Sequence, residues 1–146
     1  MTTQPPDLDP HRLQVAIHEL GHYIAWRDLP GAGIRAVRVT GHGRHTEGIT
    51  TVDWPTDDNG ALDHGYLVGL LAGREADLFH KPHSTIPYDP RGCAFDLGLF
   101  RRVRRRHQPS RQWSEHDLRA SARALIRAHW AEIQRLAPRL ARRGRL

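Results

Sequence analysis

The sequence predicts an α+β domain dominated by helices, with a small sheet or hairpin after the first helix. Three observations carry this expectation. Apolar residues recur at helical spacing over several long stretches, two short alternating segments follow the first of them, and proline or glycine clusters separate the elements. A chain of 146 residues suits one domain. Residues 1–9 read as a flexible lead, 10–140 as the domain and 141–146 as a basic tail, disordered over Arg142–Leu146.

Asp9 is placed as an N-cap with Pro10 at the first helical position. The first helix is expected from Pro10 to about Asp28, ending before Leu29-Pro30-Gly31. Ile34–Thr40 and Gly48–Trp54 alternate as strands do, and Gly41–His45 forms the loop between them. Pro55–Gly60 reads as a loop. A second helix is expected from Leu62 to about His80, apolar at Tyr66, Leu67, Leu70, Leu71, Ala76 and Phe79. Lys81–Gly92 is irregular, with three prolines. A third helix covers about Cys93–His107, and Pro109 breaks it. Ser114 with Asp117 resembles a capping box. It opens a long helix carrying Leu118, Ala122, Leu125, Ile126, Ile133 and Leu136, which Pro138 should kink or end.

Composition excludes several classes. The single cysteine, Cys93, rules out a disulfide framework and a Cys-based zinc site, and fits a reducing cytoplasm. No run approaches the roughly 20 apolar residues of a membrane span, and Met1–Pro10 has no signal-peptide pattern. The net charge of +6 comes from 21 arginines and one lysine set against 16 acidic residues. The stretch Arg101–His107 invites a nucleic-acid reading, but few aromatics are interleaved. It reads better as a solvated helix end whose cations meet the helix dipole.

The chemistry concentrates in His18-Glu19-Leu20-Gly21-His22, an HExxH motif. Histidines four apart on a helix share one face and can bind one metal ion, usually zinc. Glu19 can take a proton from a water that the metal activates. Between Val15 and Trp26 it is the only charged residue, and a carboxylate buried among apolar neighbours needs such a partner. A third ligand is required. On spacing alone Asp96, Asp77, Asp89, His80 and His83 all qualify, and Asp96 reads equally as a helix N-terminal carboxylate placed for the dipole.

This order of elements and several strings resemble the peptidase domain of FtsH-type ATP-dependent zinc proteases. The strings are Val15–His22 followed by Leu29-Pro30-Gly31, then Val37–Thr40 and Gly48-Ile49-Thr50, then Ala72-Gly73-Arg74-Glu75-Ala76-Asp77, and finally Gly92–Leu97. The resemblance spans about residues 11–136. It implies a fold of that kind, one zinc per chain, and Asp96 as third ligand beside His18 and His22, with Glu19 as general base. Asp77 would pair with Arg74 or orient a zinc ligand from behind. The strings match no part of the family's ATPase module or membrane helices, and Leu78 stands where a second acidic residue is usual.

The expected activity is that of a stand-alone, cytoplasmic zinc endopeptidase. An extended polypeptide substrate would add itself to the edge of Val37–Thr40 or of Gly48–Asp53. His42, His45, His83 and Tyr88 are candidates to assist the oxyanion. Two alternatives stand beside this reading. One is a non-catalytic zinc protein that binds protein or nucleic acid. The other is a peptidase that needs a partner ATPase or a homo-oligomer, which an exposed apolar patch around Trp113 or Trp130 would favour.

Overall fold

The computed structural model describes residues 8–54, 60–106 and 112–146. Within them a helix, a hairpin and four further helices follow in order. They are α1 (Pro10–Trp26), β1 (Gly33–Thr40), β2 (Glu47–Asp53), α2 (Gly60–His80), α3 (Ala94–Arg106), α4 (Glu115–Ala128) and α5 (Trp130–Arg143). The helix-dominated α+β expectation holds. The two strands pair antiparallel, with Val37 opposite Thr50 and Val39 opposite Gly48.

Helix α1 lies at the centre. Its residues from Ala16 to His22 and from Ile24 to Trp26 are buried. One core joins Ile17, Leu20 and Ile24 to Val37 and Val39 of β1, Ala72 and Ala76 of α2, and Ile133 and Leu140 of α5. A second core gathers Trp26, Leu67, Leu70, Leu71, Phe100, Leu118 and Ala122. Helix α2 therefore faces α1 on one side and α3 and α4 on the other, and the metal-ligand candidates on α1 sit at its inner face.

The start of α1 is fixed as expected. One Asp9 oxygen accepts from the His11 amide at 2.9 Å. The other accepts from the Gly43 amide at 2.8 Å. The cap thus ties the hairpin loop to the helix. Leu8 packs on the core, and residues 1–7 of the expected lead lie outside the described residues.

Three expectations need correction. The long last helix is two helices, because His129 leaves helical geometry at ψ 13°. The bend lets α4 pack on α2 while α5 turns Ile133, Ala137, Leu140 and Ala141 into the core beside α1. Pro138 does not end α5, which runs on to Arg143. The lost amide donor would have served the carbonyl of Gln134, an exposed residue, where the loss costs least. Finally, the basic tail is ordered. Gly144 takes a left-handed φ of 77° and its amide bonds to Leu140 O. Its carbonyl accepts from Val39 N at 2.9 Å, and Leu146 N donates to Val37 O at 3.2 Å. The tail adds a short bridge to the side of β1 that β2 leaves free.

Most of the Pro55–Gly60 loop and the expected break at Pro109 lie outside the described residues. Trp130 is half-buried against Phe79, and Trp113 against His64, so neither presents the exposed apolar surface that would favour an oligomer or partner. No helix among them is long and apolar enough to cross a membrane. Of the arginine stretch, Arg104 donates to Trp113 O and Arg101 pairs with Glu115.

Candidate metal centre

Two elements converge on one point. Helix α1 brings His18 and His22, one turn apart, and the first turn of α3 brings Asp96. His18 Nε2 lies 2.9 Å from Asp96 Oδ2, and His22 Nε2 lies 3.0 Å from the same oxygen. The two Nε2 atoms are 3.1 Å apart. Tetrahedral ligands at zinc distances stand about 3.3 Å apart, so this spacing needs only a few tenths of an ångström of adjustment.

Helix α2 sets the rings from behind. His22 Nδ1 lies 2.7 Å from Gly69 O, and His18 Nδ1 lies 2.7 Å from Asp77 Oδ2. A carbonyl and a carboxylate can only accept, so both Nδ1 atoms carry the ring proton. In neutral rings both Nε2 atoms are then bare acceptors. With Asp96 Oδ2 they make three lone pairs in contact and no donor between them. That arrangement requires a cation. Without metal, a proton on His18 serves. Burial opposes a charge on this ring, but Asp77 and Asp96 outweigh it and hold its pKa well above the ordinary imidazole value. Burial also acts to raise the Asp96 pKa, yet the imidazoles of His18 and His22 beside it hold it well below the usual carboxylate range. The donor set, two imidazoles and a carboxylate, fits a divalent metal.

Space for the rings is made by a missing side chain. A β-carbon on Gly73 would stand 2.6 Å from His22 Nε2 and 2.7 Å from His18 Nε2. A β-carbon on Gly69 would overlap the Trp26 indole. Trp26 in turn stacks on His22, with centroids 5.2 Å apart and planes 15° apart. The stack continues through Tyr66 to Trp54.

Glu19 is only 6% exposed. Its Oε2 accepts from the Thr50 hydroxyl at 2.6 Å. A β-carbon on Gly48 would stand 2.7 Å from Glu19 Cγ and 2.9 Å from Oε1. With His18 and Asp96, Glu19 lines an open cleft of about 1300 Å³. Thr46–Gly48 lines it on the hairpin side. Ile86–Asp89 and Phe95, 73% exposed, line it from the segment leading into α3.

Of the candidate ligands, the structure brings His18, His22 and Asp96 together. Asp77 stands behind His18, and Arg74 pairs with Glu75 instead. Asp89 is exposed and bound to Arg91, and His83 is exposed. His80 is buried on α2 and stands outside the cluster. Of the four oxyanion candidates only Tyr88 lines the cleft. Its hydroxyl contacts the Cys93 thiol at 3.7 Å, and burial with Cys93 pushes its pKa up, so it stays protonated. Cys93 is buried, as its type suggests. Sequence reasoning gave no role to Thr50 or Gly69. Gly73 stood inside a quoted string, and its spacing from Asp77, one helical turn, was the available signal. Compared with known proteins, the chain matches no family model and no curated protein.

Proposed function

We propose that the chain is a zinc-dependent endopeptidase of the FtsH-like kind, acting on extended or unfolded polypeptide. The observation that carries the reading is the meeting of His18 Nε2, His22 Nε2 and an Asp96 oxygen, with Glu19 lining the same open cleft. His18 Nε2, His22 Nε2 and an Asp96 oxygen would hold one zinc ion and leave a coordination position free. Bound there, zinc lowers the pKa of a water toward about 7 and draws electron density from a carbonyl. Glu19 takes the proton of the attacking water and delivers it to the amide nitrogen as the C–N bond breaks. Tyr88, protonated and lining the same cleft, is the candidate to donate to the carbonyl oxygen as negative charge grows on it.

The strand edges bear on how substrate enters. Along Val37–Val39, β1 is flanked by β2 on one side and by the tail on the other. That removes β1 from the two candidate edges. The outer edge of β2 has no strand partner among the described residues, and its Glu47 and Gly48 line the cleft. An extended segment would pair with β2 through main-chain hydrogen bonds, which read little side-chain identity. A regulatory zinc protein would need the same ligands but no carboxylate in the cleft, so Glu19 favours the enzyme.

The test is metal content of the purified chain together with casein cleavage, with and without chelator. The expected result is about one zinc per chain and chelator-sensitive cleavage. Glu19→Gln should abolish that cleavage while zinc and fold stay. Zinc without any cleavage would move the reading to a partner-dependent or regulatory protein. Cleavage retained in Glu19→Gln would remove Glu19 from its role.

A further inference from the structure

We infer that Thr50 is a positioning residue for Glu19: its hydroxyl holds one carboxylate oxygen and leaves the other to handle the proton. The inference rests on the peptidase reading above. Its geometry comes from the register of the hairpin. Residues opposite each other in an antiparallel pair project to the same face. Thr50 stands opposite Val37 and Gly48 opposite Val39, and both valines are buried. Thr50 and Gly48 therefore share the face turned toward α1, while Ile49 between them is 57% exposed.

Two adjacent positions of this face do different work. Gly48 leaves the room that Glu19 Cγ and Oε1 occupy. At Thr50, Oγ1 lies 2.6 Å from Glu19 Oε2 and 3.1 Å from the Glu19 carbonyl. A hydroxyl has one proton, and the shorter contact to the carboxylate takes it. Oε1 carries no hydrogen bond among the described residues. The carboxylate is thus gripped on one oxygen and open on the other. A valine at 50 would fill the same volume and suit the strand equally well, so the hydroxyl is what distinguishes the residue.

The test uses the full chain loaded with zinc and dye-labelled casein as substrate. Thr50→Val should lower kcat roughly 10-fold, the scale expected when a base loses its orientation but not its place. KM, zinc content and melting temperature should stay. Thr50→Ser should restore most of the activity. Wild-type rates in Thr50→Val, while Glu19→Gln is inactive, would overturn the inference and leave the peptidase reading intact. A fall in melting temperature with full activity per folded molecule would make Thr50 structural and also overturn it. Crystal structures of the zinc-loaded wild type and Thr50→Val give a readout that needs no cleavage. Glu19 should occupy one conformation in the first and shift or split in the second. An unmoved Glu19 would overturn the inference even if no substrate were cleaved.

Discussion

Helix α2 and strand β2 hold the two chemical halves of the site in different ways. Behind the ligands, α2 presents Gly69 O, Asp77 and the open space of Gly73, all on a buried helix face. Beside Glu19, the proposed base, β2 presents one hydroxyl and one glycine. The ligand half is over-determined. Each imidazole is fixed at one nitrogen and buried. The base half rests on a single short hydrogen bond from a half-buried threonine. Metal binding and proton transfer should therefore fail separately when either half is broken.

The largest break is Gly73→Ala. The added methyl would overlap both Nε2 atoms, and neither helix can withdraw without opening the core. Zinc content should fall to near zero, with a stability loss of about 1–3 kcal/mol from overpacking. Metal analysis and thermal melts would check both. Zinc retained at full occupancy would mean that α1 and α2 separate more easily than their packing suggests.

Asp77→Asn is gentler. The amide can still face His18, but the charge that steadies its Nδ1 proton is gone. Zinc affinity should drop roughly 10–100-fold, the usual effect of losing a ligand's carboxylate partner. A competitive chelator titration would measure it. An unchanged affinity would assign the orientation of His18 to packing alone.

The smallest effect sharpens the comparison through pH. His18 has a raised pKa in the metal-free fold, so its contribution to stability is complete below the ordinary imidazole value near 6.5. That contribution is lost as pH rises through the raised folded value. Asp96 has a depressed pKa, so its contribution is present above the ordinary carboxylate value and is lost only in strong acid. The metal-free protein should therefore weaken as pH climbs above neutrality. Zinc binding, which competes with the His18 proton, strengthens over the same range. The gap in melting temperature between zinc-loaded and chelated protein should widen from about pH 6 to about pH 8. A gap that narrows would contradict the proton bookkeeping at His18.

Much of the ligand half was legible in the sequence. The HExxH spacing places two imidazoles on one face whatever the rest of the chain does, because the geometry is local to one helix. Asp96 is 74 residues beyond His22, and only the resemblance separated it from its rivals. Its meeting with α1 depends on how α2 and α3 pack. The base half was less legible. Thr50 reads as an ordinary strand residue until the register with Val37 is known, and a slip of one residue would point it outward. The tail was misread for a similar reason. Arg142, Arg143 and Arg145 look like a solvated run, but the hydrogen bonds there belong to main-chain atoms of Gly144 and Leu146, which composition does not report.

The aromatic stack behind the site has an optical consequence. His22 touches the Trp26 indole face to face, and Trp26 is 5% exposed. A protonated or metal-bearing imidazole draws electrons differently from a neutral one, and a stacked indole emits accordingly. The chain thus carries its own fluorophore against a candidate metal ligand. Trp54, Trp113 and Trp130 make no ring contact with His22 among the described residues. Occupancy of the site can be followed as a change in emission, with no added dye.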